Sequence, residues 1–414
     1  MTADPQHEEE QAVRPDAPAA VPLLAPRDGL TRVVGDRAAL MRTAEAFAAG
    51  SGPIAVDAER ASGFRYSQRA YLVQLRRAGA GTALIDPIPL RSDLSELAPA
   101  LRGPEWVLHA ANQDLPCLAE TGLTPSSLFD TELAGRLAGL PRVGLGPLVE
   151  QMLGLSLEKG HGAADWSRRP LPEDWLVYAA LDVEVLVELR DVLAGLLAEQ
   201  GKLDWAMQEF EAVRTAGPPQ PRAEPWRRTS GLHKLRKPRA LAVVRALWEA
   251  RDRLAAERDI APGRVLPDSA IIEAAAGAPA SPGDLAALPV FRGRAQRRLT
   301  SYWFAALQQA TQLDAAALPA VTPAADGPPP VGRWADRDPD AAARLTAARA
   351  AVVAVGLEWS VPVENLLQPD LLRRLCWSPP PDGDVAAALR AGGARPWQIE
   401  LLTPHLETAL QAHS

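Results

Sequence analysis

Residues 54–59 read Ile-Ala-Val-Asp-Ala-Glu. Three apolar residues, an acid, a small residue and a second acid form the pattern of a short buried strand that ends in charge. Side chains alternate faces along a strand, so Asp57 and Glu59 point one way and Ala58 the other. Two carboxylates at the end of a buried strand repel each other and are costly to desolvate. A cation between them relieves both penalties. Oxygen-only ligands suit a hard divalent ion, Mg²⁺ or Mn²⁺, which keeps several waters and commonly shares its site with a phosphate. Two solvated acids at a strand end are the bland alternative, and this stretch alone favours it.

The flanking sequence has an α/β pattern. A helix is expected over 36–49, ended by Gly50 to Gly52. Strands are expected at 53–58, 70–75 and 82–85, with turns short enough for an antiparallel meander. Further on, 94–101 reads as helix, 106–109 as strand and 112–120 as helix, followed by helices at 131–140 and 145–153. A Gly- and Pro-punctuated loop spans 154–172. One long helix is expected over 173–200, with Leu176, Ala179, Ala180, Val183, Leu186 and Val187 at helical spacing. Such an order makes one α/β domain of about 190 residues.

Two later acids stand out. His109-Ala-Ala-Asn-Gln-Asp114-Leu115 sets an acid on the first turn of a helix just after a strand. The helix dipole alone favours an acid there. In Tyr178-Ala-Ala-Leu-Asp182 the phenol and the carboxylate share one helix face. A helix-interior Asp beside a core stripe is poor helix chemistry, so it needs a partner. A metal would supply one; the bland alternatives are a bond to the tyrosine hydroxyl at the rim of the core, or a solvated Asp182.

The chain has 414 residues, enough for two to three domains. Its net charge of −7 confines any polyanion-binding surface to a local patch. Residues 1–25 are polar, acidic and Pro/Ala-rich, the composition of a disordered tail, without the features of a signal peptide. No apolar run approaches a membrane span, and Cys117 and Cys376 read as reduced thiols, so a cytoplasmic setting is expected. Only four residues are lysine, at 159, 202, 234 and 237, so positive charge is nearly all arginine and one arginine means little.

After a Pro-rich linker at 218–225 the pattern turns helical, with helices expected at 238–256, 268–276, 281–287 and 293–309. A second linker at 318–333 precedes a last helical block. In both blocks a long helix ends near an acid (Asp259, Glu358), and a short helix starting Pro-Asp follows (Asp268, Asp370). That order suggests a diverged repeat. Between Arg222 and Arg264 there are twelve Arg or Lys against five Asp or Glu, a candidate phosphate-tracking surface. Trp359, Trp377 and Trp397 of the last block are expected in its core.

Taken together, Asp57-x-Glu59, His109-x4-Asp114 and Tyr178-x3-Asp182 resemble the DEDD 3′–5′ exonucleases, in the subgroup with a catalytic tyrosine. Asp165-Trp166-Ser167-Arg168-Arg169-Pro170-Leu171, running into Tyr178, is similar to ribonuclease D, as is Gln74-Leu75. Residues 230–310 resemble the helicase-and-RNase-D C-terminal (HRDC) domain, and 340–412 a second, diverged copy.

The resemblance implies an α/β ribonuclease H-like exonuclease domain with a mixed sheet, followed by two all-α HRDC-like domains. Its expected division is a tail at 1–25, the exonuclease domain at 26–213, a linker at 214–228, an HRDC domain at 229–312, a linker at 313–339 and a second HRDC-like domain at 340–414. It implies two divalent metal ions, Mg²⁺ or Mn²⁺. Asp57, Glu59 and Asp182 would hold one, Asp57 would also face the second, Asp114 would reach the second largely through water, and Tyr178 would orient the attacking water. Arg227, Arg228, Lys234, Arg236, Lys237 and Arg239 are the side chains expected on nucleic acid. The implied activity trims RNA 3′ ends, of tRNA precursors or other structured RNA, and releases nucleoside 5′-monophosphates. Single-stranded DNA is a further candidate partner; no membrane and no obligate protein partner is implied. A nucleic-acid-binding protein with weak or no nuclease activity and a 3′–5′ DNA exonuclease are the alternatives. The family often has threonine where Ala58 stands and an aromatic residue where Arg60 stands, which touches substrate packing rather than metal ligation. His109 is expected to pack or cap, and His161 to lie in a surface loop.

Overall fold

The computed structural model describes residues 20–158, 160–217, 222–322 and 327–411. Its strands are β1 (Val21–Leu23), β2 (Ser51–Arg60), β3 (Ala70–Ala78), β4 (Gly81–Ile85), β5 (Trp106–Leu108), β6 (Leu128–Asp130) and β7 (Leu155–Leu157). Five of them form a mixed sheet in the order β4-β3-β2-β5-β6. The expected meander β2-β3-β4 is antiparallel, while β5 and β6 add in parallel on the other side of β2. Being central, β2 is covered on both faces, and Ile54, Ala55 and Val56 are wholly buried. In register, Asp57 faces Gln74 and Glu59 faces Leu72, and a register shift follows between Glu59 and Arg60.

Several expectations are corrected. Most of the proposed tail lies outside the described residues, but its end is ordered: Val21–Leu23 pairs in parallel with Leu155–Leu157, inside the stretch read as loop. Three residues per strand are too few to show a period, so neither was visible in the pattern; the same holds for β6. The long helix over 173–200 is two, Glu173–Glu184 and Leu186–Glu199, parted at Val185. The break accompanies the burial of Glu184, whose carboxylate meets Arg76 of β3 at 3.1 Å. A further helix, Leu203–Thr215, was not anticipated, and the helix expected over 293–309 is divided into Arg294–Arg297 and Thr300–Thr311.

The helical remainder contains two similar successions. Pro238–Arg258 and Pro339–Trp359 each run 21 residues and each end on a left-handed residue, Asp259 (φ 47°) and Ser360 (φ 50°). A short helix follows each, then Asp268–Gly277 in one and Pro369–Trp377 in the other. The first succession has its own core, around Trp226, Leu247, Ile271, Phe291 and Trp303. The second shares a continuous core with the sheet domain. There Trp205 stacks on Trp397 with centroids 4.8 Å apart and lies 5.0 Å from Trp359, and Trp397 Nε1 donates to Glu209 at 3.0 Å. Both cysteines are free and buried. Among the described residues no helix is long and apolar enough to cross a membrane.

Candidate active site

β2 delivers Asp57 and Glu59 at its C-terminal end, the helix Glu173–Glu184 delivers Tyr178 and Asp182, and the turn after β5 delivers Asp114. Carboxylate oxygens of Asp57, Glu59 and Asp182 lie within 4.8 Å of one another. With Asp114 and Tyr178 they line one cleft of about 450 Å³. Three segments distant in sequence therefore meet in one cavity. Asp114 stands apart from the three-carboxylate group; its Oδ1 lies 3.5 Å from Nη2 of Arg60.

Burial is the largest cause raising the proton affinity of all four acids. Repulsion adds to it: Glu59 feels Asp57, Asp182 and Asp114, and is pushed up to about 10. Burial and Asp57 hold Asp114 at about 8, against the pull of Arg60. Asp182 rises well above the usual carboxylate range through burial and Asp57, opposed by the Tyr178 hydroxyl. Asp57 is raised least, to about 6, because the Ala58 backbone N–H and Arg60 offset its burial. Carboxylates held this close, only partly offset by Arg60 and all offering oxygen, fit a hard divalent cation.

The Tyr178 phenol is also held in its neutral form, by burial first and then by the acids Asp182, Glu59 and Asp57. Its ring packs against the small core around Trp166, and its hydroxyl bonds with Asp182 on the cleft. Side chains would crowd it: a Cβ on Gly160 would lie 3.3 Å from its ring, and one on Gly162 3.4 Å from its hydroxyl. His161 packs edge-on to Tyr178 (5.8 Å) and beside Trp175 (5.7 Å), with Nε2 3.3 Å from Asp174. His109 is kept out of the carboxylate group; its Nδ1 meets Thr131 Oγ1 at 2.9 Å, and burial lowers its pKa to about 4.

Asp130 escaped the sequence reading. It caps the helix Thr131–Leu137 by accepting from Glu132 and Leu133, and also accepts from the N–H groups of Ala110 and Ala111 at 3.1 and 2.8 Å. Ala110 is left-handed (φ 56°), so this carboxylate pins the strained turn that presents Asp114. The available signal was an acid directly before a Thr-Glu helix start. Gln74, in register with Asp57, is wholly buried and both its amide atoms lack a partner among the described residues. The segment 165–171 is scaffold: Trp166 is buried, Ser167 Oγ accepts from Arg65 at 2.8 Å, and Arg169 clasps Asp86 at 2.6 and 2.7 Å.

The six basic side chains do not line this cleft. Arg227 is held by Glu224 at 2.6 Å and lies over Trp226, and Arg239 donates to the carbonyls of Thr311 and Leu313. Arg228, Lys234, Arg236 and Lys237 are exposed.

Family models match three parts of the chain: a 3′-5′ exonuclease over residues 32–198, an HRDC domain over 240–307, and a 3′ to 5′ exonuclease C-terminal domain over 327–410. Ribonuclease D of Gluconacetobacter diazotrophicus is 34% identical over 284 residues, covering 67% of this chain and 71% of that one. A crystallised protein from Bifidobacterium adolescentis is 38% identical with a TM-score of 0.88, over 95% of this chain and 100% of its own. Escherichia coli RNase D, described as an exoribonuclease involved in structured RNA processing, is 26% identical with a TM-score of 0.65, over 92% and 99% of the two chains. With exonuclease and HRDC segments in order and a curated relative matched over more than two thirds of its length, the chain belongs to the ribonuclease D family and is a 3′–5′ exoribonuclease.

Proposed function

We propose that this exoribonuclease hydrolyses the 3′-terminal phosphodiester of RNA with two divalent ions, Mg²⁺ or Mn²⁺, and releases nucleoside 5′-monophosphates. Asp57, Glu59 and Asp182 would hold one ion; Asp57 and, through water, Asp114 would serve the second. When bound, such ions supply Lewis acidity at the phosphodiester and the means of deprotonating water near neutral pH. The carboxylates supply the negative charge that retains them. Tyr178 holds the attacking water in line through its hydroxyl, which burial and the neighbouring acids keep protonated. No covalent nucleophile is required. The observation that carries this reading is the convergence of Asp57, Glu59 and Asp182 within 4.8 Å, with Tyr178 on the same cleft.

Within this reading residues 26–213 form the catalytic unit, the helical unit at 229–312 holds the body of the substrate, and a second helical unit follows at 340–414, with 214–228 and 313–339 as linkers. Arg228, Lys234, Arg236 and Lys237 meet RNA backbone. A structured RNA, such as a tRNA precursor in the cytoplasm, is the proposed substrate, in keeping with the description of the E. coli relative. The test incubates the chain with 3′-labelled RNA and DNA, each with Mg²⁺, Mn²⁺ or EDTA. Label released as mononucleotide from RNA, and lost in EDTA, is expected. Equal release in EDTA overturns the metal reading, and faster release from DNA overturns the substrate.

A further inference from the structure

Arg60 is the last residue of β2, and by strand alternation it belongs on the face opposite Asp57 and Glu59. It still lines the cleft, as does Ala58, so the end of the strand as a whole borders it. Opposite it the register shifts: Glu59 pairs with Leu72 and Arg60 with Ala70, leaving Tyr71 as the extra residue of β3.

The Arg60 guanidinium is under-used. Nη2 sits 3.5 Å from Asp114 Oδ1, an ion-pair distance too long for a good hydrogen bond. Nε is buried with no partner among the described residues. Arg169, by contrast, engages Asp86 at 2.6 and 2.7 Å and the Tyr71 carbonyl at 2.8 Å. A guanidinium fork with idle donors, in a cleft built for a phosphodiester, matches the geometry of a phosphate's paired oxygens. Asp114, its resting partner, is the acid that the proposed mechanism assigns to a metal, and that assignment would release Arg60.

We propose that Arg60 is a substrate-binding residue that grips the 3′-terminal phosphodiester of the RNA, with Asp114 as its partner only while the site is empty of substrate. The proposal rests on the exoribonuclease reading of this cleft. It gives the chain a cationic contact at the reacting linkage, separate from the exposed basic patch of the helical unit.

The test uses the full chain and a 5′-fluorescein-labelled five-nucleotide oligoadenylate with a free 3′ hydroxyl. Binding is read by anisotropy with Ca²⁺ in place of Mg²⁺, and probe integrity is checked on a gel. A second probe carries an uncharged methylphosphonate at the terminal linkage only. Mn²⁺ binding without RNA is read by electron paramagnetic resonance. Arg60→Gln should weaken binding of the all-phosphodiester probe about tenfold or more. It should not weaken binding of the methylphosphonate probe further, because the contact is already lost. Its Mn²⁺ affinity should hold or rise. Arg60→Lys, which keeps the charge without the fork, should fall between, and it carries the same comparison if Arg60→Gln does not fold. Equal losses on both probes, or unchanged RNA affinity with altered Mn²⁺ affinity, overturn the proposal and leave Arg60 an internal counter-ion. A wild-type chain that neither binds nor shortens the RNA overturns the exoribonuclease reading itself, and the proposal with it.

Discussion

Asp259 Oδ1 accepts a hydrogen bond from the Ser67 backbone N–H at 2.8 Å, across 192 residues of sequence. Asp259 is the left-handed cap of the helix Pro238–Arg258, and Ser67 lies in the loop that leaves β2 after Arg60. The same carboxylate meets Arg69 at 3.1 Å, and nearby the Ala261 N–H donates to Phe64 O at 3.0 Å. Arg264 donates to Gly63 O at 2.7 Å and covers the Phe64 ring. The first helical unit is thus fastened to the loop that adjoins the catalytic strand.

Asp259→Ala should cost about 1–3 kcal/mol, from unpaired donors and from placing alanine in the left-handed region. Asp259→Asn keeps an acceptor and tolerates that backbone, so it should cost less. Thermal unfolding ranks the two, and protease cleavage within 61–69 should accelerate most in the alanine variant. Equal stability of both variants with wild type would show that the fastening lies elsewhere.

Glu59→Gln should stabilise the metal-free protein at alkaline pH. The Glu59 carboxyl binds its proton more tightly folded than unfolded, through burial and then its acidic neighbours. Between the ordinary glutamate value and its folded value near 10, the native state therefore binds more protons than the unfolded state. Stability falls as pH rises across that window. In EDTA the two proteins should melt together near pH 4, and by pH 8.5 the variant should lead by about 1 kcal/mol or more, roughly 2–4 °C. A gap that does not widen with pH would mean that Glu59 is not held against repulsion.

Tyr178→Phe should lower turnover about 10²–10⁴-fold while leaving metal and RNA affinity nearly intact, as loss of a water-positioning hydroxyl does. Asp57→Asn should do more, because it removes charge from both proposed ion sites and weakens metal binding itself. Single-turnover rates combined with Mn²⁺ titration separate the two. Full activity of the Phe variant would make Tyr178 a packing residue.

Charge reversal at Arg236 and Lys237, both exposed, should weaken RNA binding regardless of sequence. Losing two phosphate contacts should also reduce the slope of log affinity against log salt by about 1.4 for single strands. An unchanged slope would leave these residues a solvated face.

The alternation of Ile54-Ala-Val-Asp-Ala-Glu59 and the turn spacing after it were enough to specify the β2-β3-β4 meander. A strand's period is local, and turn length sets hairpin pairing. The four acids and Tyr178 were picked out by their resemblance to family motifs, whose spacing within each segment is local; that spacing by itself left the bland readings open. Their convergence was decided by the tertiary structure, through the parallel addition of β5 beside β2 and the packing of Glu173–Glu184 onto the sheet. So were the features no local period encodes. Asp130 acts on a turn some twenty residues before it. Val21–Leu23 becomes a strand only because Leu155–Leu157 lies beside it. The bulge at Arg60 depends on which β3 residue lies opposite. Arg227 and Arg239, counted in the basic stretch, also donate to Glu224 and to the carbonyls of Thr311 and Leu313, contacts that charge along the chain does not show. Charge and periodicity are properties of neighbours along the chain, whereas a donor's partner and a carboxylate's burial depend on what folding brings beside it.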